Sequence, residues 1–327
     1  MSMTRIVLAI AVSVISAVSA WAQPPKEYLE QSPPSPTTKV VKLEFINSFD
    51  QSRGEALLEV PEKLSKPVPL IISPHPANWT PEMNRSIWAG VADQFGVLIL
   101  HPVHQGKLNP RVSFGSPRQL GNLESAIAEV QRRYPVDDSR VYAAGLSQGA
   151  IESLLLAGHH PKRFAGVLSI NTIADYLAFH QGGQESTEDT VSRFRSNTWT
   201  QLRKLFELDF GGTPDTARAE YYLRSPALYA QQLAQTPLIL YWAENDEIIG
   251  RGATHQGGML AELIRAFKPA NFREVRHSGG HGYPFYRVDL EKLSVSLFPR
   301  EIFLESVKEM LKFRRTAAEK SIPRSDR

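Results

Sequence analysis

Five short apolar runs alternate with stretches of helical periodicity, and this alternation restricts the fold more than any other feature of the sequence. "VPLIISP" (68–74), "GVLILHP" (96–102), "SRVYAAG" (139–145), "FAGVLSIN" (164–171) and "PLILYWA" (237–243) are brief and almost wholly apolar. Runs of that kind are strands inside a sheet that is covered on both sides. Between them, "RSIWAGVADQF" (85–95), "NLESAIAEVQRRY" (122–134) and "AIESLLLAGHH" (150–160) space their apolar residues as helices do. The alternation predicts an α/β fold: a mostly parallel central sheet with helices on both faces. Ahead of it, "VVKLEFI" and "GEALLEV" read as an antiparallel strand pair, and "EIFLESVKEMLKF" (301–313) reads as a closing helix.

The flanks have a different character. "MSMTRIVLAIAVSVISAVSAWAQPP" places Arg5 before an apolar stretch from Ile6 to Ser19, then Ala20-Trp21-Ala22 before Gln23. A basic start, a short apolar core and a small-x-small site predict a signal peptide over 1–22. The apolar run is short for a span of about 20 residues, so cleavage is expected rather than stable membrane insertion. The protein is then secreted or periplasmic. Residues 23–39 are rich in proline and polar side chains and read as a linker; 314–327 read as a polar tail. The single domain expected between them, 40–313, is interrupted over about 172–236, where no core strand is evident. That insertion carries Phe194, Trp199, Leu202, Leu205 and Phe206 at helical spacing and is read as a helical lid over the C-terminal edge of the sheet.

Composition narrows the partners. With 42% hydrophobic residues in 327, the chain can bury a large core without disulfides, and it has no cysteine. The net charge of +3 comes from scattered basic residues rather than a run, which argues against a nucleic-acid groove. No H-E-x-x-H motif or His/Asp cluster appears, so neither a metal nor another cofactor is expected. The oligomeric state is left open.

The chemistry centres on "VYAAGLSQGA" (141–150), in which Ser147 follows a strand without a gap and precedes a helix within three residues. A serine between Gly145 and Gly149 in that context is a nucleophile elbow: a tight turn that lifts the hydroxyl out of the sheet. The backbone N–H of Gln148, at the helix start, would point at an oxyanion formed on an attacked carbonyl. A serine hydroxyl needs a base and an orienting acid, and both are expected later in the chain. "WAENDEIIG" offers Asp246 just past a strand end, with Glu244 and Glu247 as rivals; "RHSGGHGYPF" offers His281 in a glycine-rich loop, with His277 as its competitor.

These residues resemble the α/β-hydrolase superfamily over nearly the whole of 40–313. "DDSRVYAAGLSQGAIESLLLAGHHPKRFAGVLSIN" is similar to the elbow region of secreted esterases and polyhydroxybutyrate depolymerases, and of prolyl oligopeptidases. "YYLRSPALYAQQLAQTPLILYWAENDEII" is similar to the segment reaching the acid in prolyl oligopeptidases and dienelactone hydrolases. Their H-G-x-x-D-x-x-V pattern has Trp242 and Ala243 in its first two places here and Asp246 in the acid's place. Their G-G-H-G motif stands as Gly279, Gly280, His281 and Gly282. Many of these enzymes carry His-Gly after the third strand; here "SPHPANW" has Pro76 in the glycine's position. Proline has no N–H, but the donor implied by the resemblance is the next residue, Ala77, with Asn78 as the alternative. A second departure is the extra segment "GYPFYRVDLEKLSVSLFPR" after His281.

The expected function is an exported serine hydrolase that cleaves a small-molecule or polymeric carboxylic ester. In it Ser147 attacks, His281 moves the proton, Asp246 orients the imidazole, and Gln148 and Ala77 hold the oxyanion. A prolyl oligopeptidase-like peptidase or amidase would use the same triad, but the chain has no room for a propeller-sized gating domain before the third strand. A catalytically silent binding protein on this fold is the third reading.

Overall fold

The computed structural model describes residues 38–64, 67–109, 111–182, 190–251, 256–289 and 294–315. The expected signal peptide, nearly all of the linker and most of the C-terminal tail lie outside them.

Twelve strands occur among the described residues. β1 (Lys39–Ile46), β2 (Arg53–Val60), β3 (Val68–Ile72), β4 (Leu98–Pro102), β5 (Val136–Leu146), β6 (Gly166–Ile170) and β7 (Leu238–Ala243) follow the expected order. A two-residue pair, β8 (Asn245–Asp246) and β9 (Gly250–Arg251), comes next, followed by β10 (Phe272–His277) and a hairpin of β11 (Tyr286–Asp289) and β12 (Ser294–Leu297). Eight of them form one sheet in the order β1-β2-β4-β3-β5-β6-β7-β10. β1 pairs antiparallel with β2 and β2 with β4, while every other pairing in the sheet is parallel.

The pleat divides the core in two, as alternation along a strand requires. Leu70, Ile72, Val141, Ala143, Leu238 and Leu240 face the helices Pro117–Arg133, Gln148–His159 and Gln256–Ala266. Ile71, Tyr142, Ala144, Ile239 and Tyr241 face Trp79, Trp88, Val91 and the closing helix Glu301–Met310. Strands buried on both sides explain the continuous apolar runs in the sequence.

Two helices depart from expectation. The stretch 85–95 is not one helix: Pro81–Ile87, capped by the Thr80 hydroxyl, ends at Trp88, and a second piece runs Val91–Phe95. The break is at Gly90, whose φ of 76° is left-handed and incompatible with a continuing helix. The helix expected from Asn122 begins instead at Pro117, because Ser116 accepts from Gln119 N and proline suits a first helical turn.

The insertion between β6 and β7 is helical, with Tyr176–Gln181, Thr190–Phe210, Arg218–Leu223, a 3-10 turn Pro226–Tyr229 and Ala230–Leu233. Leu202, Leu205 and Phe206 are buried there and Trp199 is half-buried, while the Phe194 side chain lies outside the described set. These residues join Tyr176, Phe179, Phe210 and Tyr221 in a third core cluster. The same cluster includes Ile151 and Leu155 of the helix after Ser147 and Ile249 beyond Asp246, which join the insertion to the end of the sheet where the candidate site residues sit. The extra segment after His281 supplies β11 and β12.

Candidate active site

Parallel strands put their C-terminal ends on one rim, and the candidate residues leave that rim after β5, β7 and β10, with β6 between the first two. Ser147 follows β5 directly and has φ 57° and ψ −121°, a strained conformation for a residue with a side chain. The sharp turn needs its glycines. A Cβ on Gly145 would meet Ala150 N at 2.7 Å, and one on Gly149 would meet the Pro74 carbonyl carbon at 2.8 Å. Gly149 thereby lets the loop after β3 lie against the elbow. Ser147 holds the N-cap position of the helix Gln148–His159 yet makes no side-chain capping bond, so its hydroxyl is not used to close the helix.

Asp246 and His281 meet. His281 Nδ1 donates to Asp246 Oδ2 at 2.8 Å, and both residues are buried. Asp246 Oδ1 accepts from the backbone N–H groups of Ile248 and Ile249, each at 2.8 Å, so the turn itself fixes the carboxylate. Burial works to lower the pKa of His281, but the Asp246 charge, its hydrogen bond and the Glu247 charge outweigh it and raise the net value.

The elbow and the histidine loop are anchored to consecutive residues at the end of β6. Ser147 N–H donates to Ile170 O at 2.9 Å. The next residue, Asn171, donates from Nδ2 to the carbonyls of His281 (2.7 Å) and Tyr283 (3.0 Å). Asn171 has a left-handed φ of 49°, which asparagine tolerates better than most residues. Its one local signal in the sequence is an asparagine closing an apolar strand.

The rivals have other partners. Glu247 Oε2 accepts from the backbone N–H of His281 at 2.9 Å, and a side chain at Gly280 would collide with that carboxyl. Burial first, and the Asp246 charge second, raise the Glu247 pKa. Glu244 is half-buried and pairs with Arg276. His277 ends β10, accepts from Gly279 N–H at 3.1 Å and stacks on Tyr283 with ring centroids 3.7 Å apart. Its ring serves the packing of the loop that carries His281.

Around the expected oxyanion donors, Gln148 is buried at the start of the elbow helix, and Ala77 is half-buried in the loop after β3. The backbone N–H of Asn78 is engaged by Arg111 O at 3.0 Å, which leaves that group unsuited to be the alternative donor.

A strand-turn-helix serine, an acid after β7 and a histidine after β10 on an eight-stranded sheet define the class: the chain has the α/β-hydrolase fold. No family model matches the chain. Among curated proteins it is similar to feruloyl esterase B of Talaromyces funiculosus, 27% identical over 141 residues that cover 40% of each chain. It is also similar to a probable acetylxylan esterase A of Aspergillus clavatus, 23% identical over 54% of this chain and 62% of that one. The chain spans about half the length of the curated relatives it matches. Among solved structures, the thermostable carboxylesterase EstE1 from a metagenomic library superposes with a TM-score of 0.60 at 14% identity, covering 95% of this chain and 97% of that one. An acylaminoacyl peptidase of Pyrococcus horikoshii has the same TM-score at 16% identity, covering 85% of this chain and 42% of its own.

Proposed function

We propose that the protein is an exported serine hydrolase that cleaves a carboxylic ester through an acyl-enzyme on Ser147. His281 takes the hydroxyl proton as Ser147 attacks the carbonyl and returns it to the leaving alcohol. Asp246 keeps the imidazole in the tautomer whose Nε2 is free to accept. The N–H groups of Gln148 and Ala77 receive the oxyanion. The observation that carries this reading is the Asp246–His281 hydrogen bond, with both partners buried, at the rim where Ser147 follows β5.

Three further observations support it. Ser147 occupies a strained turn and its hydroxyl makes no capping bond. The insertion 172–236 packs on the elbow helix and on Ile249, as a lid over the site would. The curated relatives carry esterase names, which favours an ester over a peptide bond; feruloyl and acetyl groups on carbohydrate alcohols are the first substrates to try. Export rests on the pattern over 1–22, and no helix among the described residues is long and apolar enough to cross a membrane.

The test compares p-nitrophenyl esters and feruloyl esters with aminoacyl anilides, using the chain without residues 1–22 and its Ser147→Ala variant. Turnover of esters well above anilides, lost in the variant, is expected. Faster anilide cleavage would replace the esterase reading with the peptidase one. Turnover of neither substrate class would favour a silent binding protein.

A further inference from the structure

A buried polar network beneath the elbow has no part in the proton relay just described. Glu152 lies four residues along the elbow helix from Gln148 and is buried together with His104, Ser113 and Gln119. One of its carboxylate oxygens accepts from the Ser113 hydroxyl at 2.5 Å, the other from Gln119 Nε2 at 3.0 Å. His104 Nε2 lies 3.2 Å from that second oxygen without completing a hydrogen bond to it. A carboxylate shut away from water is costly unless donors surround it; Ser113 and Gln119 supply two bonds, and the His104 ring lies beside them.

The bonds determine where the protons sit. Ser113 N–H donates to Gln148 Oε1 at 3.3 Å, which fixes the orientation of the amide. Its Nε2 therefore faces His104 Nδ1, at 2.6 Å, and Ser113 Oγ, at 3.3 Å. An amide nitrogen only donates, so His104 Nδ1 accepts and the ring proton sits on Nε2, the side of Glu152. The His104 ring stacks on His75 with centroids 3.5 Å apart and planes 15° from parallel. His75 Nδ1 in turn donates to Pro76 O at 2.8 Å. Burial first, then the neighbouring His104, holds the His75 pKa well below the usual histidine value, which suits a neutral ring in that stack.

We infer that Glu152 and His104 are positioning residues for the oxyanion hole: His104 holds Gln148 directly and the Pro76–Ala77 turn through the His75 stack, and Glu152 acts on Gln148 through Ser113 and His104. The inference rests on the reading of Ser147 as nucleophile with Gln148 and Ala77 as donors. Oxyanion donors act most strongly once the carbonyl oxygen gains charge. A donor moved out of line therefore raises the barrier and leaves substrate binding nearly as it was.

The test uses Glu152→Ala, Glu152→Gln and His104→Phe in the full-length protein. Competent sites are counted by labelling to completion with a fluorophosphonate. kcat and KM are then measured for p-nitrophenyl butyrate. Inhibition is measured for a trifluoromethyl ketone, whose carbonyl adds the Ser147 oxygen while the serine proton passes to His281, leaving an oxyanion in the hole. Per titrated site, Glu152→Ala should lower kcat roughly 10- to 100-fold, with KM within about threefold and ketone affinity falling alongside kcat/KM. Glu152→Gln keeps the shape and one accepting oxygen, so it should recover part of the loss. His104→Phe keeps the stack and loses the acceptor, so it should fall between the two. A merely structural role would lower the number of titratable sites and leave kcat per site alone. The inference is overturned if kcat per site stays within about threefold of wild type in His104→Phe and in whichever Glu152 variants fold, or if the loss is confined to KM. A wild-type protein that takes no label, or a Ser147→Ala variant with wild-type turnover, would instead remove the parent reading, and the same experiment reports that separately.

Discussion

Replacing Asp246 with asparagine changes one atom, and the geometry around that atom sets the result. Oδ1 accepts two turn N–H groups, from Ile248 and Ile249. In Asp246→Asn those donors require the amide oxygen at the Oδ1 position, so the amide NH2 takes the place of Oδ2, opposite His281 Nδ1. Two donors cannot face each other, and the imidazole is driven to carry its proton on Nε2. That tautomer cannot accept from Ser147. The same substitution in the serine-protease template lowers kcat about 10⁴-fold, equivalent to about 5.4 kcal/mol of barrier, and a loss of that order is expected here. Stability should change little, because both turn bonds survive. Asp246→Ala, by contrast, strands the two N–H groups at about 1–3 kcal/mol each. The assay is kcat for a p-nitrophenyl ester per folded protein, with melting temperature measured alongside. Activity of Asp246→Asn within about tenfold of wild type would refute the tautomer argument, as would a loss matched by unfolding.

Glu247→Gln should move the acidic limb of the kcat/KM–pH profile to lower pH. The Glu247 charge is one of the groups that raise the His281 pKa, and the base works only when neutral, so removing that charge extends activity downward in pH. An unmoved or upward-shifted limb would contradict this. Asn171→Ala strands the carbonyls of His281 and Tyr283. It should cost about 1–3 kcal/mol in chemical denaturation and lower kcat more than KM, whereas unchanged values would show that Asn171 holds nothing. His277→Ala should retain most turnover while His281→Ala loses it, and the reverse result would move the base to His277. Gly145→Ala should destabilise by about 1–3 kcal/mol or prevent folding, because the added Cβ meets backbone rather than a movable side chain; an unchanged melting temperature would show that the elbow has slack.

The sheet was legible because β3 and β7 are buried along their whole length, and such strands reveal themselves as unbroken apolar runs. The helix Gln256–Ala266 was not, since Gly257 and Gly258 sit in its first turn and mask its periodicity; a Cβ at Gly258 would press on the Trp242 ring at 3.3 Å. The split at Gly90 was hidden in the same way by apolar residues that continue on both sides of it. At the site, the candidate acid and base could be named from strand ends and glycines. The division of labour between Asp246 and Glu247 could not. They are neighbours in the chain, and only the turn determines that one faces the imidazole and the other the backbone N–H of His281. The bonds made by Asn171 reach more than 100 residues along the chain, so no local pattern announces them.

The central claim is met most directly by trapping the covalent intermediate. Acid quench of a p-nitrophenyl ester reaction within the first turnover, followed by tryptic mapping, should find the acyl mass on the peptide 141–162, at Ser147. The adduct should be absent from Ser147→Ala and slow to form in His281→Ala. An ester hydrolysed at full rate with no adduct on that peptide, or with the acyl group on another residue, would contradict the account.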